Sequence, residues 1–200
     1  MKLFGKYETE GIEISDLSLR QVASLKPANI PHSFGRHAKK QFAKEKVNIV
    51  ERMTNKLMRG GTGEKTSGKV IRTHGGMQGK KLKALKIVES ALDKVAKQTN
   101  ENPVQVLMKA LQNSAPREDV TRVAFGGISY QVATDISATR RLDLSLRNIT
   151  LAAIMGSFNK GKSLDTALAN EIIATAKGEV QASYAMRKRD EMERMARSSR

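Results

Sequence analysis

The sequence predicts an all-α bundle of about six helices, with one protruding β-hairpin and a basic N-terminal segment. Three observations predict it. Apolar residues recur at intervals of three and four along most of the chain. One stretch, residues 121–134, changes to an interval of two across a double glycine. Of the net charge of +16, a surplus of +12 falls in residues 31–97, where four Arg and thirteen Lys face four Glu and one Asp. Such a block repels itself unless a polyanion lies against it, and a nucleic-acid backbone is the commonest polyanion.

Composition narrows the class. Two hundred residues suit one domain that buries roughly 70% of its unfolded surface. Aromatic residues make up 4% with no Trp, so aliphatic side chains and Met must fill the core. With no cysteine, disulfides and thiolate metal sites are excluded, which suits a reducing compartment. No apolar run approaches the roughly 20 residues of a membrane helix. The start, MKLFGKYETEGIEI, turns acidic and lacks a secretory apolar region, so a soluble intracellular protein is expected.

Taken in order, residues 1–30 form a flexible or extended lead-in followed by a short helix. Ser15 is a candidate cap for that helix, which carries Leu17, Leu19, Val22 and Leu25 and stops before Pro27. The remainder, 31–200, reads as a single helical RNA-binding domain. Its Pro31, Ser33 and Gly35 form a loop, and a short basic stretch follows. Ile49, Val50, Met53 and Leu57 mark a helix ending at Gly60-Gly61, where a glycine-rich, mobile loop to residue 79 begins. The next helix carries Leu85, Val88, Leu92 and Val95 on one face and Lys83, Lys86, Lys94 and Lys97 on the other. Asn102-Pro103 is a cap and first-turn pair for a helix with Val104, Leu107 and Leu111.

In the hairpin, roughly 121–133, the Gly126-Gly127 turn sets Phe125 opposite Ile128, Val123 opposite Tyr130 and Thr121 opposite Val132. The apolar partners then share one face, which must lean on a helix or on a partner. Ser137 caps a long helix to about Phe158, and Ser163 caps another to Gly178. The last helix, 181–200, is basic and polar.

One motif invites a catalytic reading. Residues 156–163, GSFNKGKS, match the phosphate-binding loop G-x-x-x-x-G-K-[ST], in which backbone N–H groups cradle phosphates and Ser ligates magnesium. A strand must precede that loop within a parallel sheet, yet Leu142 to Ile154 keep helical spacing and everything after Ser163 reads helical. The match is therefore a joint between two helices. A second near-match, residues 63–70, lacks the hydroxyl. His32, His37 and His74 lack metal-ligand spacing, and no acidic pair suggests acid–base chemistry. Neither an enzyme nor a cofactor is expected.

The basic residues that coincide with unusual backbone are Arg36, Lys39 and Lys40 beside a Pro/Gly loop, and Lys80 and Lys81 at a helix start. Others are Arg140, Arg141 and Arg147 on the long helix, the Arg187-Lys188-Arg189 cluster, and Arg200. Cations spread over so many elements suit a folded RNA better than one groove of duplex DNA.

Four segments resemble the small-subunit ribosomal protein S-seven family, in order and over nearly the whole chain. They are PHSFGRHAKKQF; NIVERMTNKLMRGG with QGKKLKALKIVESAL; ENPVQVLMKALQNSAPRED with the hairpin; and SYAMRKRDEMERMARSSR. PHS-x-GR and KRDE-x-ER-x-A look like the archaeal and eukaryotic branch. The resemblance implies a cytoplasmic, non-catalytic protein of the ribosome. It would bind the 3′ major domain of small-subunit ribosomal RNA and nucleate assembly of the head. The RNA-gripping positions it implies are Arg36, Lys39, Lys40, Arg52, Lys56, Arg59, Lys80, Lys81 and Lys83. It also implies a hairpin reaching toward the exit-site tRNA and the mRNA, with Arg117 and Arg122 as contacts. The basic C-terminal helix would approach the same tRNA and neighbouring head and platform proteins. Residues 61–77 look inserted relative to the family, which leaves open what Lys65, Lys69 and Arg72 touch. Two other classes remain for comparison: a small NTPase using Lys162 and Ser163, and a generic DNA-compacting protein.

Overall fold

A computed structural model describes residues 2–59 and 76–200, together with the backbone of residues 65–66 and 69–70. Within them lie seven helices, the seventh being the short N-terminal one. Helix α1 (Leu17–Val22) is capped by Asp16, whose carboxylate accepts from Ser18 N at 3.0 Å. The cap thus falls one residue after Ser15, because a carboxylate one step nearer the helix reaches the free N–H. Two 3₁₀ turns follow, Arg36–Lys39 and Ala43–Lys46, then α2 (Ile49–Leu57), capped by Asn48. The two-residue strands β1 (Lys65–Thr66) and β2 (Lys69–Val70) pair antiparallel. Most of the glycine-rich loop, with Arg72, His74 and the 63–70 near-match, lies outside the described residues, as do the side chains of Lys65 and Lys69.

Next come α3 (Lys81–Thr99) and α4 (Pro103–Ser114). Asn102 accepts from Val104 N at 3.0 Å, and Pro103 opens the first turn, as the sequence predicts. After the hairpin of β3 (Glu118–Phe125) and β4 (Ile128–Asp135) stand α5 (Ala138–Ser157), α6 (Leu164–Lys177) and α7 (Tyr184–Ser198). Ser137 and Ser163 occupy the cap positions without side-chain cap bonds, and Ser163 Oγ instead meets Thr166 Oγ1 at 2.7 Å. The last helix begins three residues later than 181, where Ser183 Oγ accepts from Met186 N at 3.2 Å.

Helix α6 is the hub, packed against α3, α4 and α5. Its buried Ala167 and Ala169 let neighbouring backbones approach, while Leu168 and Ile172 fill the interior. The largest fully buried side chains are Leu, Ile and Met throughout, as an aromatic-poor composition requires. The lead-in is extended but docked: Leu3 is 1% exposed, and Lys6 pairs with Glu89 at 2.8 Å and with Asp93 at 3.2 Å. Asn102 Nδ2 also donates to Glu8 O at 2.9 Å. Arg141 is buried where α5 meets the start of the chain. Its Nε donates to Pro116 O at 3.2 Å, its Nη2 to Asp16 at 2.7 Å and its Nη1 to Ser18 Oγ.

The hairpin register is the one predicted: Thr121 faces Val132, Val123 faces Tyr130 and Phe125 faces Ile128. Both turn glycines adopt positive φ, 59° and 80°, which side chains with a Cβ rarely adopt. Its base leans on α7, where Arg117 N donates to Glu193 at 3.1 Å and Arg200 pairs with Glu118. Among the described residues nothing covers its tip, and Phe125 is 80% exposed.

Helix α7 is held at its start by a carboxylate from α6. Glu171 accepts from Ser183 Oγ at 2.9 Å and from Ala185 N at 3.0 Å. Burial raises its pKa despite those bonds. A carboxyl whose folded pKa lies above the unfolded value is stabilising when protonated, so its contribution declines as pH rises through the folded pKa. Glu171→Gln is therefore expected to be more stable than wild type at pH 7. The gap should close as pH falls toward 4.5, as urea unfolding across that range would show.

Candidate nucleic-acid interface

Cationic side chains from two elements converge on one carboxylate of a third. On α2, Arg52 and Lys56 lie one turn apart, with Arg59 just past its end, and on α5 Arg140, Asp143 and Arg147 lie at helical spacing. Lys56, Arg59, Thr139, Arg140, Asp143, Leu144 and Arg147 line an open cavity of about 310 Å³. Asp143 receives Arg52 Nη2 at 3.1 Å, Lys44 from the second 3₁₀ turn, and Lys56 Nζ at 3.8 Å. Burial works against ionising Asp143, but the Lys44 hydrogen bond and the charges of Lys56 and Arg52 outweigh it and lower its pKa. Lys56 shifts down instead: its burial and the like charges of Lys44, Arg59 and Arg52 outweigh Asp143. The single acid leaves the cluster under-neutralised. Arg140 is shared with Asp119 at 3.1 Å, while Arg147 is exposed and carries no ion pair among the described residues.

The other predicted positions divide into free and committed cations. Arg36, Lys39, Lys40, Lys80, Lys83, Arg117 and Arg122 are exposed, with no side-chain ion pair among the described residues. Arg52, at 3% exposure, and Arg141, at 8%, spend their guanidinium groups inside the protein. Lys81 donates to buried Glu51. On α7, Arg189 donates to Asn113 O and pairs with Asp190 at 2.6 Å, and Lys188 pairs with Glu191 at 2.9 Å. Arg187 points outward.

Lys44, Asp143 and Glu51 carry much of this arrangement, yet none was among the predicted positions. Glu51, an acid inside the most basic stretch, was the legible signal for itself. Lys44 and Asp143 lie 99 residues apart, and nothing local links them. Residues 156–163 join α5 to α6, and 151–155 are helical, so no strand enters the GKS loop. The start of α6 is already occupied: Asp165 accepts from Thr166 N at 2.9 Å and pairs with Lys94 at 2.8 Å. Of the histidines, His32 stacks on Phe34, and His37 Nδ1 lies 3.1 Å from Ser33 Oγ.

Comparison with known proteins decides the family. The sequence profile of ribosomal protein S7p/S5e matches residues 19–200. The chain belongs to this family. It is 45% identical over 197 residues, 98% of each chain, to the small ribosomal subunit protein uS7 of Methanothermobacter thermautotrophicus. The protein of that name from Methanococcus maripaludis is 44% identical over 200 residues, covering 100% of this chain and 99% of its own. In Methanococcus vannielii the identity is 43%, over 100% and 96%. These archaeal relatives agree with the branch that the PHS-x-GR and KRDE segments resemble. Members of the S7p/S5e family are structural, non-enzymatic ribosomal proteins, consistent with the helical joint found in place of a phosphate-binding loop.

Proposed function

We propose that this ribosomal protein binds the 3′ major domain of small-subunit ribosomal RNA in the cytoplasm and nucleates folding of the subunit head. The observation that carries the reading is the cavity that Lys56, Arg59, Arg140 and Arg147 line together with Asp143, a carboxylate already paired with Lys44 and Arg52 behind it. A concavity that repels its own charges gains most from a phosphate, whose condensed counterions the cations displace and whose charge relieves Lys56. Arg36, Lys39 and Lys40 on one side and Lys80 and Lys83 at the start of α3 extend the cationic surface, so several RNA helices can be neutralised together.

The hairpin and α7 serve a second contact. Arg117 and Arg122 on the hairpin, with Arg187, Lys188 and Arg200 near α7, would approach the exit-site tRNA and the mRNA path. The exposed apolar strip would meet neighbouring head or platform proteins. No helix among the described residues is long and apolar enough to cross a membrane.

A hydroxyl-radical footprint of the protein on a 3′ major-domain transcript, with random duplex DNA as competitor, tests the reading. Discrete protected segments that survive excess DNA are expected. Equal affinity for duplex DNA, with no discrete protection, would replace it with a generic DNA-compacting role.

A further inference from the structure

Two phenylalanines in the basic N-terminal segment face water from backbone conformations that side chains normally avoid. Phe34 is 76% exposed at φ 52°, and Phe42 is 70% exposed at φ 57°. A single exposed apolar residue needs no explanation. Two bulky rings on left-handed backbone, eight positions apart with three cations between them, do. Burial cannot hold them there, so the scaffold must.

The scaffold for Phe34 is visible. Ser33, its neighbour, donates from both N and Oγ to Glu51 Oε1 at 2.8 Å. Glu51 is 2% exposed and neutralised by Lys81. His32 closes the other side: its ring centroid lies 4.2 Å from that of Phe34, and its Nδ1 accepts from Phe34 N at 2.9 Å. Gly35, at φ 73°, then turns the chain into the 3₁₀ turn bearing Arg36 and Lys39. Phe42 precedes the second 3₁₀ turn, which Lys44 ties to Asp143. Each ring is therefore anchored at its base, and both stay largely exposed although His32 packs on one side of Phe34.

We propose that Phe34 and Phe42 are stacking platforms for two unpaired nucleobases of the RNA whose phosphates Arg36, Lys39 and Lys40 neutralise. The inference rests on the RNA-binding reading above and adds the part of the RNA recognised, splayed single-stranded bases rather than paired helix. Stacking tolerates any base, because each has a π-face, and a ring held in place beforehand loses little freedom on binding. An apolar pocket on a protein would also accept a phenylalanine, but the cations between the rings favour a polyanion.

The test uses the full chain and the 3′ major-domain transcript. Because the chain contains no Trp, Phe34→Trp and Phe42→Trp each introduce a lone indole reporter. Both tryptophan variants should bind as tightly as wild type, with their emission quenched by the stacked base. Phe34→Leu and Phe42→Leu should each weaken binding by about 5–150-fold. The salt slope should stay unchanged, since no phosphate contact is lost. Both rings are exposed, so melting temperatures should not move. If wild type binds the transcript with steep salt dependence but the leucine variants keep full affinity, the rings face something other than bases and the proposal falls. If wild type itself does not bind the transcript, the RNA-binding reading fails first and takes this proposal with it.

Discussion

Replacing Lys56, Arg59 and Arg147 together by alanine is expected to lower affinity for the 3′ major-domain transcript by about 10²–10³-fold at 0.1 M salt. Each phosphate contact contributes roughly 0.7–0.9 to the slope of log affinity against log salt, so three contacts amount to about 2–3 decades at that concentration. The slope should become shallower by about 2–3 units. If wild type makes about 6–10 such contacts, it should lose about 10³–10⁵ in affinity between 50 and 200 mM salt. Folding should survive, because Lys44 and Arg52 still neutralise Asp143 and the loss of Lys56 removes a group its neighbours repel. Anisotropy titrations at several salt concentrations, paired with thermal melts, check both halves. A variant with wild-type slope would move the RNA away from this cavity.

How much of this was legible depends on the range of the interaction that decides each feature. The hairpin register follows from an alternation of two and a Gly-Gly turn, both local, and the structure reproduces it pair for pair. Asn102-Pro103 likewise marks a helix start through a bond two residues long. The cationic surface is different. Arg52 and Lys56 are one turn apart on α2, and both read as cations of a basic helix. Arg52 is nevertheless buried against Val22 O and Asp143, while Lys56 lines the cavity. Both meet Asp143, and what separates them is the Val22 carbonyl, 30 residues away in the chain, which no periodicity in either segment encodes. The same holds on α5, where the neighbours Arg140 and Arg141 turn to opposite sides, one to the surface and one to the interior. Sign and density of charge are local properties of a sequence, whereas commitment of a charge to an internal partner is tertiary.

Arg141 gives the clearest consequence of such a commitment. Its guanidinium joins three parts of the chain that are distant in sequence: the cap of α1 at Asp16 and Ser18, the entry to the hairpin at Pro116, and α5 itself. Arg141→Ala is expected to cost about 3 kcal/mol at pH 7. That is the low end for removing one partner of a buried pair, because Asp16 keeps 24% of its side chain in water. For a chain of this size the melting temperature should fall by roughly 6–12 °C. The loss should also depend on acid. Burial opposes ionisation of Asp16, but the Ser18 and Arg141 bonds prevail and bring its pKa from 3.8 to about 2. A carboxyl with a depressed folded pKa stabilises above its unfolded value and loses that contribution as pH falls through the folded one. The gap between wild type and Arg141→Ala should therefore narrow between pH 4 and pH 2 in urea unfolding. A gap that stays constant over that interval would show that Arg141 stabilises through Pro116 and packing alone. Freed of its tie at Pro116, the hairpin entry should also be cut faster by protease in the variant, since Arg141 is the buried cation that holds that strand to α5.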